Sequence, residues 1–255
     1  MKIIKAVGQE FLNWKWSLWI LFLFPYGWML KLELIKISDQ LDVAMNVWDL
    51  IIGFMHNPAL MIYLLLPVLL LFFSKTLLQH GEYTTLIRIG SYTRWIFYTI
   101  RKILPILLLL LMLWLIVSFL VALSMPIYLS WSVYAMNDYG MNNIIYSLQQ
   151  YFIYPPFAIL IQILQYLLFF IVVHTIIATT YLFRPKTSTL IFLSVWFYVG
   201  TILSYKIPTE WTWLHISHYI FTDSSLNNFQ SVVPTFSVLT STFVGCLVIV
   251  KLLKK

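Results

Sequence analysis

The side chains of this sequence best suited to acid–base or metal chemistry are a few histidines. His174 is the only ionisable residue well inside a long apolar run, where it could relay a proton or pair with a backbone carbonyl or a hydroxyl such as that of Thr175. His215 and His218 are three residues apart and could face one metal ion, but no carboxylate or cysteine completes a plausible ligand set nearby. We therefore expect a structural pairing for His174 and no metal site.

The sequence has no motif for nucleotide phosphates or for hydrolysis. It contains no GxxxxGK[ST] loop, no GxSxG or HExxH motif, and no pair of acidic residues within the apolar runs. Ion-coupled transporters and intramembrane hydrolases use charged groups inside lipid, because burying charge there is costly and is kept for function. We therefore expect that the chain is not an enzyme and that energy for any movement comes from another protein.

The elements that must position these residues are long apolar helices. Hydrophobic residues make up 61% of the chain and charged residues 10%, which is typical of a multi-pass membrane protein. A bilayer core needs roughly 20 apolar residues per helix. Six runs meet this need, so we predict an all-α integral membrane protein with one transmembrane domain over residues 1–255. The predicted spans are residues 16–32, 59–78, 104–124, 157–183, 189–205 and 233–252.

The charges between these runs alternate in sign along the chain. The N-terminus, residues 75–103, residues 184–186 and the C-terminus together hold 13 of the 16 Lys and Arg residues. Lys and Arg accumulate on the cytoplasmic side of a cell membrane, so we predict a plasma-membrane protein with both termini cytoplasmic. The net charge of +7 lies beside the spans, where it meets anionic headgroups, and does not indicate a nucleic-acid partner.

Two cytoplasmic segments show helical amphipathicity. In residues 1–15, Val7, Phe11 and Trp14 fall on one side, which predicts a helix in the headgroup plane or an amphipathic start to the first span. In residues 79–102, an apolar stripe that includes Leu86 and Ile89 faces a basic arc, and Gly90 predicts a bend. On the other side, residues 33–58, 125–156 and 206–232 are too apolar for free linkers and predict short re-entrant or interfacial helices.

This order of segments resembles the membrane (permease) subunit of a type-2 ABC transporter, a member of the ABC-2 exporter superfamily. Within residues 79–102, Arg88-Ile89-Gly90-Ser91, Trp95 and the pair Arg101-Lys102 resemble the pattern of small Firmicute permeases, including those for phenol-soluble modulin toxins. The sequence differs from that pattern at Tyr92 and Thr93, where those permeases have more basic residues.

The resemblance implies an assembly of two membrane subunits, identical or homologous, with cytoplasmic ABC ATPases that bind ATP and Mg²⁺. It implies no cofactor on this chain itself. Residues 79–102 would be the coupling helix seated in the ATPase, and residues 1–15 would be a connecting helix around Val7, Phe11 and Trp14. The implied ATPase contacts are Glu82, Tyr83, Leu86, Arg88, Ile89, Gly90, Ser91, Arg94 and Trp95.

The substrate class follows from the apolar, aromatic composition of the spans. A path with few charges suits an amphipathic peptide, such as a toxin, or a lipid-like molecule. Two other function classes remain open from the residues alone. One is a membrane anchor or sensor that holds a cytoplasmic partner and transports nothing, and the other is a lipid enzyme using His56, His215 and His218.

Overall fold

The computed structural model describes residues 15–81, 89–140, 143–208 and 210–252. Every regular element in these ranges is a helix. The long helices are α1 (Lys15–Leu41), α3 (Leu66–His80), α4 (Tyr92–Ala122), α7 (Pro155–Phe183), α8 (Thr187–Ser204) and α11 (Val233–Leu252). The short ones are α2 (Val47–Met55), α5 (Val133–Met136), α6 (Asn143–Tyr151), α9 (Ser217–Ile220) and α10 (Thr222–Phe229), with a π-helical turn Leu60–Leu65 and a 3₁₀ turn Thr212–Leu214.

Five of these helices are long and apolar enough to cross a membrane. They are α4, α7, α8, α11 and the continuous stretch Leu60–His80, which joins the π-helical turn to α3. All five overlap predicted spans, and the predicted residues 233–252 coincide with α11. The first predicted span lies in α1, which is not in this group of helices drawn from the described residues. The second half of α1 carries Lys31, Glu33, Lys36 and Asp39.

Helix boundaries follow local rules of the backbone. Pro155 begins α7, where its missing N–H would have had no partner within the helix. The π-helical turn precedes Pro67, which cannot donate the hydrogen bond that a regular helix needs. The predicted bend at Gly90 is confirmed by its left-handed backbone, with φ of 72°. Short helices occur in all three predicted outer segments.

Two helices extend beyond the bounds of the predicted spans. Residues 33–41 were expected in an outer segment, and α1 continues through them to Leu41, with Leu34 buried. The third span was expected to begin at residue 104, but α4 begins at Tyr92 and runs unbroken through Pro105. Arg94, Arg101 and Lys102 therefore lie on the same helix as the apolar run.

The chain forms two compact units. The first contains the described residues of Met1–Asn57, Leu108–Leu164 and Phe221–Ser231. Its core is built around α2, in which Leu50, Ile51 and Phe54 are fully buried. The Phe54 ring meets the Trp114 ring edge-to-face with centroids 6.3 Å apart. The apolar α2 is thus a core helix, and its polar residues are carried into the interior with it.

The second unit contains the described residues of Pro58–Leu107, Gln165–Ile220 and Val232–Lys255. His174 is fully buried there, with its Nε2 3.0 Å from the Thr99 hydroxyl oxygen. Thr99 donates its own proton to the Ile96 carbonyl, so Nε2 of His174 is the donor. A hydroxyl partner was predicted correctly, but Thr175 is the wrong one because its hydroxyl bonds back to the Ile171 carbonyl.

Candidate functional site

The basic segment between α3 and α4 starts and ends at one compact place in the second unit. We call this place the coupling base and define it as His80, Gly81, Trp95, Tyr98 and Tyr181. Gly81 of the base is the last described residue before residues 82–88, which lie outside the described ranges. Ile89 and Gly90 then lead into α4, whose first turn is closed by a hydrogen bond from the Trp95 amide to the Ser91 carbonyl at 2.9 Å.

Trp95 connects the end of α3 to the start of α4. Its side chain is fully buried, and its indole Nε1 donates to the His80 carbonyl at the end of α3, with 2.6 Å between the heavy atoms. Its ring stacks on Tyr181 of α7, with centroids 6.5 Å apart and planes 22° apart. The bond satisfies one of the carbonyls that every helix leaves without a partner at its C-terminus. Three helices therefore meet at one indole.

Gly81 fits the base because it has no side chain. A Cβ at this position would lie 2.6 Å from the Leu77 carbonyl oxygen and 2.6 Å from Cε1 of Tyr181. Its backbone angles, φ −86° and ψ 1°, suit any residue, so the restriction is one of space. The chain leaves α3 in close contact with Tyr181.

Cationic side chains surround the base at the surface. Arg94, Arg101 and Lys102 are exposed along the first turns of α4. The Lys102 ammonium lies 5.5 Å from the Tyr98 ring centroid, and that ring also meets His80 edge-to-face. The arrangement is a cluster of aromatic side chains with exposed positive charges beside it on α4, and it can attract an acidic partner surface.

The structure describes part of the predicted contact set. Ile89, Gly90, Ser91 and Arg94 are partly or well exposed, so a partner can reach them, whereas Trp95 is fully buried and acts by holding the segment in place. Among the predicted residues, those that lie outside the described ranges are Glu82, Tyr83, Leu86, Arg88, Val7, Phe11 and Trp14.

The histidines considered for an enzyme do not form a metal site. His215 and His218 lie in the second unit with ring centroids 5.2 Å apart, and burial together with His215 lowers the pKa of His218 to about 4. His56 belongs to the first unit. Within residues 15–81, 89–140, 143–208 and 210–252, no group of three His, Cys, Asp or Glu side chains could hold a metal ion.

Lys31 is a polar site that the sequence analysis missed. It is 5% exposed, its ammonium Nζ donates to the Val121 carbonyl at the end of α4 at 2.8 Å, and it lies 4.9 Å from the Trp28 ring centroid. A cation at a helix C-terminus complements the partial negative charge of the last carbonyls. The signal was present as a lysine inside a helix-length run, but the predicted span ended one residue after it.

A second missed site is a buried carboxylate on α2. Asp49 is fully buried, with Oδ2 accepting from the Asn46 amide at 2.7 Å and Oδ1 accepting from the Ser132 hydroxyl at 2.9 Å. Burial raises the pKa of Asp49 to about 6 against the opposing effect of these two bonds. Asn46 and Asp49 form a capping box, and its Asn-x-x-Asp spacing could have been found in the sequence.

Comparisons with known proteins return no relative for this chain. No protein-family model matches the sequence, no curated protein is similar to it, and no solved structure matches its fold.

Proposed function

We propose that this chain is the transmembrane subunit of an ATP-driven exporter of the ABC-2 type, coupled to a separate cytoplasmic ATPase. The observation that carries the proposal is the coupling base. The basic first turns of α4, held to the end of α3 by one buried tryptophan, continue without a break into the apolar part of the same 31-residue helix. ATP and Mg²⁺ belong to the partner ATPase, and this chain binds no cofactor of its own.

The base includes the start of α4, so it would connect an ATPase bound to residues 82–88 with the apolar part of that helix. An α-helix rises 1.5 Å per residue, so α4 is about 46 Å long, more than the thickness of a bilayer core. Closure of an ATPase dimer can change the conformation of a membrane subunit only through a contact that differs between the two states. A flexible loop would absorb such a displacement, whereas the anchored start of α4 transmits it.

The proposed topology has six spans, with α1 added to the five apolar helices. With 27 residues, α1 is about 40 Å long and can cross the bilayer with a tilt. The basic coupling base would then be cytoplasmic, as would both termini, in the plasma membrane. Residues 1–15 would form the connecting helix, and α2, α5, α6, α9 and α10 would lie at the outer face.

The proposed partners are cytoplasmic ABC ATPases, a second membrane subunit that is identical or homologous, and the bilayer. The proposed substrate is an amphipathic peptide or a lipid-like molecule. Apolar surface supports this class, because only 17% of the apolar window of α8 and 22% of that of α11 are buried within the chain. Such surface favours apolar surroundings and amphipathic cargo over ionic sugars.

The decisive experiment is purification of the tagged chain in mild detergent, with identification of bound proteins and an ATPase assay. A stoichiometric ATPase is expected, and its binding is expected to be lost when residues 82–88 are replaced by a Gly/Ser linker of equal length. This replacement keeps Trp95 and the base intact. Absence of any nucleotide-hydrolysing partner would refute the proposal.

Charge reversal separates an exporter from an anchor. Arg94→Glu is expected to abolish peptide-stimulated ATP hydrolysis and export, whereas Lys206→Glu, an exposed lysine on the proposed outer side, is expected to leave both unchanged. An anchor would bind its partner but show no export in the unmutated protein. A lipid enzyme would instead lose turnover on substitution of His56, His215 or His218.

Cysteine accessibility tests the topology directly. The native Cys246 is buried and can be replaced by alanine to give a cysteine-free background. A membrane-impermeant thiol reagent added to whole cells is expected to label Asp138→Cys and not Arg94→Cys. The reverse labelling pattern would invert the proposed orientation.

A further inference from the structure

His56 and Asp223 face each other inside the first unit. His56 directly follows α2, and Asp223 lies in the first turn of α10. Their exposed fractions are 1% and 8%, and the His56 Nε2 atom lies 4.0 Å from Oδ1 of Asp223. This distance is too long for a hydrogen bond and short enough for strong electrostatic interaction in a buried place.

A hydrogen bond on the other side of the His56 ring shows that the nitrogen facing the Asp223 carboxyl group, Nε2, carries no proton when the ring is neutral. Nδ1 lies 3.0 Å from the Ile52 carbonyl oxygen, which can only accept, so Nδ1 carries the hydrogen. In a neutral ring, Nε2 is then a bare acceptor. Both Nε2 of His56 and Oδ1 of Asp223 are buried without a hydrogen-bond partner in the part of the chain that the structure describes.

Two buried acceptors that face each other require a donor between them. A carboxylate opposite a bare imidazole nitrogen would leave a negative charge in the interior with nothing to neutralise it, at a cost of several kcal/mol. We propose that His56 and Asp223 form a binding site for a single proton, held as an O–H bond on Asp223 Oδ1 and directed at Nε2 of His56. The proton comes from solvent and the occupied site has no net charge.

No other charged group described around the site neutralises a carboxylate at Asp223. Burial is the largest effect on both groups, raising the pKa of Asp223 and lowering that of His56. The charge of His56 and hydrogen bonds from the backbone and side chain of Ser224 act against burial at Asp223, and no charged group other than His56 acts on it. Helix α6, which packs against α2 and α10, has no Asp, Glu, Lys, Arg or His among its nine residues. Among the charged side chains that the structure describes on α2 and on α1, which packs against it, each has its own bond or is exposed. Asp49 is bonded to Asn46 and Ser132, Lys31 is bonded to Val121, and Glu33, Lys36 and Asp39 are exposed.

Occupancy of this site controls how firmly α10 is held. With the proton bound, the O–H of Asp223 can close on Nε2 and join α10 to the end of α2. As the pH rises and the proton leaves, a buried carboxylate faces an acceptor and repels it, so α10 loosens. The site is thus a binding site for protons that responds to alkaline pH. Both of its residues lie in the first unit, and the site does not depend on the exporter proposal.

Infrared spectroscopy of the full chain in detergent tests the site. At pH 7 the spectrum is expected to contain the C=O stretching band of one buried carboxylic acid, lost in Asp223→Asn and kept in Asp138→Asn, which removes an exposed carboxylate. Hydrogen exchange of residues 222–229 is expected to accelerate at alkaline pH beyond the intrinsic rate in the unmutated protein. A bridging water or monovalent cation would leave the carboxylate ionised, so absence of the band overturns the proposal.

A second measurement covers the case in which Asp223→Asn disturbs folding. The ¹⁵N spectrum of histidine-labelled unmutated protein, with His56 assigned by the loss of its signals in His56→Gln, reports the ring state directly. A neutral ring protonated at Nδ1 is expected at pH 7. An imidazolium signal would show an ion pair with the proton on His56, which refutes the assignment to Asp223.

Discussion

Replacement of Gly81 by alanine tests whether the coupling base is as tightly packed as the structure shows. The new Cβ would lie 2.6 Å from both the Leu77 carbonyl oxygen and Cε1 of Tyr181, whereas ordinary contact begins near 3.4 Å. These atoms would have to move by about 0.8 Å. The Leu77 oxygen belongs to the last turn of α3, and the Tyr181 ring is stacked on Trp95, so neither moves without loss elsewhere.

The expected cost follows from these contacts. Overpacking of this kind costs about 1–3 kcal/mol. Alanine also has less conformational freedom than glycine in the unfolded chain, which stabilises the folded protein by about 0.4–1 kcal/mol. The free energy of unfolding is therefore expected to fall by about 1–2 kcal/mol in total. Gly245→Ala is the matched control, because a Cβ there meets no atom within 4 Å and the position is inside α11. We expect the control to gain about 0.5–1 kcal/mol from higher helix propensity.

The free energies of unfolding can be compared by titrating both variants with SDS in mixed micelles while following helical circular dichroism. Gly81→Ala is expected to be about 2 kcal/mol less stable than Gly245→Ala, as the sum of the two opposite effects. Equal stability of the two variants would show that Leu77 and Tyr181 do not enclose residue 81, and the rigid base would have to be abandoned.

Three further predictions concern single polar contacts. Trp95→Phe keeps the aromatic ring but leaves the helix-end carbonyl without its donor, so we expect a loss of about 1–3 kcal/mol in the same titration, with exposed Trp211→Phe near zero. Lys31→Met is expected to lower the free energy of unfolding by a similar amount, because it removes the hydrogen bond to the Val121 carbonyl of α4. Exposed Lys36→Met is expected to lower it little, and equal effects of the two substitutions would contradict a stabilising role for the Lys31 bond. Because the folded pKa of Asp49 is raised from 3.8 to about 6, its contribution to stability is complete below pH 3.8 and is lost as the pH rises through 6, by about 3 kcal/mol. Asp49→Asn should flatten this part of the pH–stability curve, and an unchanged curve would refute the raised pKa.

Hydropathy predicted most of the helices correctly because it reads a local property. Each of the last five predicted spans overlaps a helix that is long and apolar enough to cross a membrane, and Gly90 interrupts the helix where its conformational freedom indicated. The predicted first span, residues 16–32, already contained Lys31, but hydropathy does not indicate what a lysine near the end of a span contacts. Lys31 is accommodated inside by a carbonyl at the end of α4, 90 residues away in sequence.

The buried polar sites could not be predicted because their members are distant in the sequence. Asp49 meets Ser132, and His56 meets Asp223, only when α2 is enclosed by segments that follow much later. No periodicity in residues 47–56 distinguishes a core helix from an interfacial one. Local capping chemistry could reveal Asn46 and Asp49, but not the partners that bury them.

The uneven burial of the apolar helices determines how freely each can change in evolution. In α3, α4 and α7, half or more of the apolar window is enclosed by the chain itself, so side-chain shape is constrained there. In α8 and α11 most side chains do not pack against the rest of the chain, so folding of the chain requires apolar character there more than a particular shape. A saturation mutational scan of α8 and α11 should therefore follow a hydropathy scale, whereas the same scan of α4 should follow side-chain volume.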